Sequence, residues 1–214
     1  MSESPLATGE TAERPQRLLL ALGANLPARD PQTGAMLEPP LTLARAAAML
    51  AEAGLVVLAA SAIYRTSPEG GAPGDPDFAN AVVMVETAAP PGECLLIAKA
   101  LEAAFGRDPD ASPMAARPLD IDLLDSEGLV FPDAEGWRRA ADGSLPSPGL
   151  VLPHPRLHAR AFVLVPLADV APQWRHPVTG EPLASLLAGA LAQTAIRPVP
   201  FRPWQDLLKP LTTR

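Results

Sequence analysis

Apolar residues along the chain fall into short runs and helical repeats separated by clusters of proline and glycine. Leu18-Leu-Leu-Ala-Leu22 is apolar throughout, the pattern of a buried strand, and Gly23-Ala-Asn25 closes it as a turn. Pro27 to Pro40 reads as a loop. From Leu41 to Ala53 apolar positions recur at helical spacing and Gly54 stops them, so a helix is expected there, followed by a second strand over Leu55 to Tyr64. Arg65 to Asp77 concentrates Ser-Pro, Gly-Gly, Pro-Gly and Asp-Pro, which predicts a mobile loop. Phe78 to Thr87 is a third strand, and Glu93 to Phe105 a helix closed by Gly106. A second proline-bearing loop, Asp108 to Ala116, leads into Arg117-Pro-Leu-Asp-Ile-Asp-Leu-Leu124, where apolar and acidic residues alternate. The polar, glycine-rich excursion 125–150 has Trp137 as its large anchor and predicts an inserted hairpin or surface flap. Pro153-His-Pro is a turn, His158 to Val170 and Pro182 to Leu191 are helices, and Arg197 to Arg214, with four prolines and Trp204, reads as a surface segment.

The order strand, helix, strand, strand, helix, strand predicts an α+β fold of the ferredoxin-like split βαβ type, its mostly antiparallel sheet carrying helices on its faces. The expected organisation is a polar leader over 1–16, one domain over 17–192 that includes the 125–150 excursion, and a tail over 193–214.

Alternation along the last strand has a chemical consequence. Leu119, Ile121 and Leu123 point to one face while Asp120 and Asp122 share the other, about 7 Å apart from the strand rise. Two hard oxygen ligands with Arg117 at their edge suit a magnesium polyphosphate, although the same alternation describes any half-buried strand. Arg107 and Arg117 anchor the two ends of the intervening loop, which can then close over a phosphorylated ligand. His154, between Pro153 and Pro155, sits on a rigid turn. Phe78 and Asn80 share a strand face; a ring beside an amide can stack and read a heteroaromatic ligand, and a core Phe beside a solvent-facing Asn is the competing account.

Composition narrows the partners. The formal charge of −7 excludes nucleic-acid binding through a general basic surface, so any polyanion must meet a local arginine cluster and metal. The single cysteine, Cys94, cannot form an internal disulfide and fits a reducing cytoplasm. No membrane span or secretory leader is expected: Glu3, Glu10 and Glu13 precede the apolar run, and Gly23 and Asn25 interrupt it. A monomer or weak dimer is expected. Walker and dinucleotide loops, zinc-ligand clusters and nucleophile elbows are absent from the sequence.

Five blocks carry a resemblance. Leu22-Gly-Ala-Asn-Leu26, Ser61-Ala-Ile-Tyr-Arg-Thr66, Asp77-Phe-Ala-Asn-Ala81, Arg117-Pro-Leu-Asp-Ile-Asp122 and Pro153-His-Pro-Arg-Leu-His-Ala-Arg-Ala-Phe162 resemble, in order, the motifs of the 6-hydroxymethyl-7,8-dihydropterin pyrophosphokinase family. The likeness implies transfer of pyrophosphate from ATP to the hydroxymethyl group of a reduced pterin, releasing AMP, in folate biosynthesis, with two Mg²⁺ ions. It further implies that Asp120 and Asp122 bind both metals and that Arg107 and Arg117 stabilise the transferring group. His154 and Arg160 would hold ATP phosphates, with Glu102 near the nucleoside. Phe78 and Phe162 would sandwich the pterin, Asn80 would bond its edge, and Thr66 and Ser67 would contribute from the mobile loop. The sequence departs from the family pattern after Arg107, where Pro109, Asp110 and Met114 make the lid less cationic and less aromatic, and at Phe78, Glu69 and the long 125–150 excursion. Another Mg²⁺-dependent phosphoryl or nucleotidyl transferase, or a non-catalytic pterin-binding descendant, are the rival readings.

Overall fold

The computed structural model describes residues 14–68, 74–108, 110–111, 115–145, 149–193 and 199–201. The leader before residue 14, Glu69, Pro109, Met114 and Trp204 lie outside them.

One long strand organises the sheet. In chain order the elements are β1 (Gln16–Ala24), β2 (Ala28–Arg29), β3 (Met36–Leu37), α1 (Pro39–Glu52), β4 (Val56–Ala60), β5 (Ile63–Thr66), β6 (Phe78–Thr87), α2 (Pro91–Ala104), β7 (Asp120–Ser126), α3 (Ala134–Ala141), α4 (Ala161–Val170), α5 (Leu183–Gln193) and β8 (Val199–Phe201), with a 3₁₀ turn at Leu157–Ala159 before α4. β6 pairs with β1 along one side and with β4 and then β5 along the other; β7 flanks β1 and β8 flanks β5, every pairing antiparallel. This is the expected ferredoxin-like α+β arrangement.

Both faces of the sheet are covered, which explains the uninterrupted apolar run in β1. Leu18, Leu20 and Leu22 pack with Leu43, Leu50, Ala98 and Ile121 under α1 and α2. Leu19 packs with Val82, Leu124, Leu164 and Leu186 under α4 and α5 on the opposite face. Both α1 and α2 begin with proline in the first turn, where a missing N–H costs nothing. They end at Gly54 and Gly106, whose φ values of 88° and 89° are the left-handed conformation that terminates a helix.

Several boundaries differ from the sequence reading. The strand expected over Leu55 to Tyr64 is two, because the chain steps at Ser61, whose buried hydroxyl accepts from the Val82 amide at 3.0 Å and donates to the Ala62 carbonyl at 2.6 Å. Pro27 to Pro40 contains the two-stranded β2–β3 ladder, and β1 starts at Gln16, inside the expected leader. The 125–150 excursion holds a helix that its glycine-rich composition does not announce. It carries α3, capped by Asp133, which accepts from the Gly136 amide at 2.7 Å, and it buries Trp137. Residues 199–201 of the closing segment join the sheet beside β5. Among the described residues, no helix is long and apolar enough to cross a membrane.

Candidate active site

Strand register brings three sequence blocks into one row. Gly23 in β1 lies opposite Asn80 in β6 on one side and Asp120 in β7 on the other, and the next row is Val82, Ala21, Asp122. Since side chains alternate, Asn80, Asp120 and Asp122 share the face that α4 and α5 cover farther along, where Val82 is buried with them. The two acids therefore project together, as the alternation predicts, while Leu119, Ile121 and Leu123 are buried under α2. A Cβ at position 23 would stand 3.3 Å from Asn80 Oδ1, 3.9 Å from Asp120 Cβ and 4.0 Å from Phe78 Cδ1. Glycine there leaves a flat floor between residues that carry the recognition groups.

Each acid has its own cations. Asp120 is paired with Arg107, through a very short contact to Oδ1, and with Arg117 at 3.3 Å to Oδ2. Burial opposes its charge, but Arg107 and then Arg117 outweigh that and hold the carboxyl below its usual range. Asp122 lies 3.7 Å from His154 Nε2 and 3.8 Å from the Arg160 guanidinium. His154 Nδ1 accepts from the Arg156 amide at 3.2 Å, which leaves the proton of the neutral ring on Nε2, facing Asp122. Burial, with Arg160 and Arg156 behind it, outweighs the pull of Asp122 and lowers the imidazole below its ordinary value.

Glu102 is bound into the floor beneath these acids. It is only 2% exposed, and Oε1 accepts from the Ile121 amide at 2.7 Å, from Arg107 at 2.8 Å and from Lys99 at 2.9 Å. Burial pushes its carboxyl up despite these donors. This carboxylate is tied to β7 and to Arg107, so it braces the site from beneath.

The aromatic and polar end of the site is assembled on β5, β6 and α4. Thr66, opposite Phe78, accepts from Asn80 Nδ2 at 2.8 Å. Ser67 donates to Asp77 at 3.1 Å and closes the base of the loop between β5 and β6. Phe162, at the start of α4, lies under the Arg160 guanidinium at 5.4 Å, within cation–π range. Asn25, a turn residue by its sequence and part of the first family block, is the clasp of the site. Its Oδ1 accepts from the Arg117 amide at 2.7 Å, its Nδ2 donates to the Pro76 carbonyl at 3.3 Å, and the Arg117 carbonyl accepts from the Asn25 amide at 3.0 Å. The Gly-Ala-Asn signal pointed there, since a buried asparagine at a strand end can satisfy two loops at once.

Beside Asp122 opens a cleft of about 670 Å³ lined by Leu95, Lys99, Leu150, Val151 and His154 and walled by the end of α3. Among the described residues, no group of three or more His, Cys, Asp or Glu side chains is placed to hold a metal. The donor set is thus two carboxylates, 26% and 30% exposed, with Arg107, Arg117, His154 and Arg160 around them. That suits Mg²⁺, which keeps water and phosphate oxygens for most of its shell.

Residues 19–172 match the family model for 7,8-dihydro-6-hydroxymethylpterin-pyrophosphokinase. A Synechocystis 2-amino-4-hydroxy-6-hydroxymethyldihydropteridine pyrophosphokinase is 30% identical over 92% of this chain and 87% of its own length. The Pseudomonas aeruginosa protein of the same name is 36% identical over 81% of this chain and 91% of its own. Among solved structures, wild-type Plasmodium falciparum HPPK-DHPS matches with a TM-score of 0.58 at 16% identity, over 86% of this chain and 46% of that one. The likeness to that structure is one of fold, and this chain spans about half of its length.

Proposed function

This chain belongs to the 7,8-dihydro-6-hydroxymethylpterin-pyrophosphokinase family, and on that premise we propose that Asp120 and Asp122 hold magnesium and ATP phosphates while the pterin lies over Gly23. The enzyme is an ATP-dependent diphosphotransferase of folate biosynthesis: the β,γ-pyrophosphoryl group passes to the hydroxymethyl of 6-hydroxymethyl-7,8-dihydropterin and AMP is released. The number of metals, the residue roles and the cytoplasmic setting are our reading.

Asp120 and Asp122 are the residues that would hold two Mg²⁺ ions, which, when bound, neutralise phosphate charge and make a hydroxyl within their reach more acidic. The protein supplies the positioning. Asn80, braced by Thr66, offers amide groups to the polar edge of the pterin, and Phe78 and Phe162 offer rings to its faces. Ser67 holds the base of the neighbouring loop. Arg107 and Arg117 neutralise Asp120 in the free protein; once that charge is otherwise compensated, their guanidinium forks are available to oxygens of the transferring group. His154 donates from Nε2, and Arg160 adds charge, to the phosphates reaching past Asp122. The apolar walls of the adjacent cleft suit the flat base of the nucleotide. Glu102 keeps Arg107 and Ile121 in register. Every residue named comes from one copy, so a monomer is sufficient, and no step calls on nucleic acid or a membrane.

The observation that carries this reading is the shared row of Asn80, Gly23 and Asp120 with Asp122 in the next row, Asp120 facing Arg107 and Arg117 and Asp122 facing His154 and Arg160. Asp122→Asn tests it. Loss of a metal ligand is expected to lower kcat about a thousandfold, roughly 4 kcal/mol, with the fold intact because Asp122 is part-exposed. AMP formation at the wild-type rate would remove Asp122 from the site.

A further inference from the structure

Trp137 stands outside the five blocks that define the family resemblance, in the segment that sequence reading left as an excursion. It is 5% exposed, an unusual investment for a short polar helix whose other residues are part-buried or exposed. Its ring packs edge-on against His176 at 4.7 Å between centroids and tilts against His158 at 5.7 Å, which fixes its orientation. So held, the indole N–H reaches one acceptor: the carbonyl of Pro153, at 2.8 Å, in a buried hydrogen bond across sixteen positions of sequence. Pro153 precedes His154, whose own amide donates to the Leu124 carbonyl in β7 at 2.8 Å. The backbone around His154 is thereby gripped from two sides, by α3 and by the strand that carries Asp122. The last turn of α3 and the residues after it, Ala140 to Gly143, also wall the cleft that His154 and Asp122 border.

We propose that Trp137 is a positioning residue for nucleotide binding: its indole bond to the Pro153 carbonyl holds His154 against Asp122 and sets the α3 wall of the cleft. The inference rests on the reading of His154 and the cleft as the nucleotide side of the site. On this account α3 is a strut for the ATP side, and the strand-borne pterin residues Asn80, Gly23, Phe78 and Thr66 are held by β1, β5 and β6 without it.

The test is Trp137→Phe, which keeps a ring in the cluster and removes the donor. A buried carbonyl deprived of its partner in this way is expected to raise the KM for ATP about tenfold, with the KM for the pterin little changed and the melting temperature lowered by about 2–6 °C. If Trp137 acts through His154, the effect shrinks to under about twofold in a His154→Ala background, since the two losses are then one loss. Asp133→Ala uncaps α3 from an exposed position and gives the same split, more weakly, should the Phe variant fold poorly. An unchanged KM for ATP in Trp137→Phe, or an undiminished effect in the His154→Ala background, overturns the proposal. Failure of the wild type to form AMP would instead overturn the reading beneath it.

Discussion

Replacing Glu102 by alanine and by glutamine separates two jobs performed by one buried carboxylate. Alanine strips the Ile121 amide of its acceptor at 2.7 Å, in a place where water does not reach. A buried unsatisfied donor costs about 1–3 kcal/mol, and the void left by the side chain adds to that. With about 3 kcal/mol lost, and roughly 2–4 °C per kcal/mol for a chain of this size, the melting temperature falls by about 6–12 °C. Glutamine keeps Oε1 for Ile121. It forfeits the pair with Lys99, a side chain 48% exposed and so worth only a few tenths of a kcal/mol, together with the charge opposite Arg107. Against these it removes a charge that burial disfavours, the same cause that raises the Glu102 pKa, so stability stays within about 1 kcal/mol. Activity should report the second job. With Arg107 balanced by Asp120 alone, its fork is misplaced during transfer, and kcat drops roughly tenfold while the KM for ATP holds within about twofold. Thermal unfolding and steady-state AMP release measure the two effects separately. Equal destabilisation by both substitutions, or a rise in the KM for ATP with kcat unchanged, refutes the positioning role and restores contact with the nucleoside.

Other consequences can be checked alongside. Gly23→Ala places a methyl 3.3 Å from Asn80 Oδ1 on the floor between the strands, so the KM for the pterin should rise at least about tenfold with ATP affinity and fold stability nearly unchanged; equal pterin affinity would move the ring elsewhere. His176 is wholly buried, its Nδ1 accepts from the Val178 and Thr179 amides, and among the described residues Nε2 has no partner. Burial first, then His158, lowers its pKa to about 4 from 6.5. The folded state therefore resists protonation: the stability is fully present above pH 6.5 and is lost as pH falls towards 4, about 3 kcal/mol in all. His176→Asn, which retains an acceptor, should flatten that part of the denaturation profile, and a wild-type slope surviving in the variant would contradict the assignment.

Local patterns were enough for much of this architecture. Alternation in Arg117 to Leu124 placed two acids on one face, and β6 runs from Phe78 to Thr87 as its composition predicts. What stayed hidden depends on cross-strand partners. Gly23 reads as a turn until register sets it between Asn80 and Asp120, and nothing local in the sequence shows that Glu102 accepts an amide from β7. Ser61 breaks a run that reads as one strand, because its hydroxyl substitutes for a ladder bond. Trp137 could be recognised as an anchor but not assigned a load, since its partners, Pro153, His158 and His176, come from later in the chain.

The central claim is that Asp120 and Asp122 together hold the metals that bind the triphosphate. Counting tightly bound Mn²⁺ by electron paramagnetic resonance, in the presence of a non-hydrolysable ATP analogue and a pterin analogue, tests it most directly. The account predicts two ions per wild-type ternary complex and the loss of at least one in both Asp120→Asn and Asp122→Asn. Wild-type occupancy preserved in both variants would contradict it.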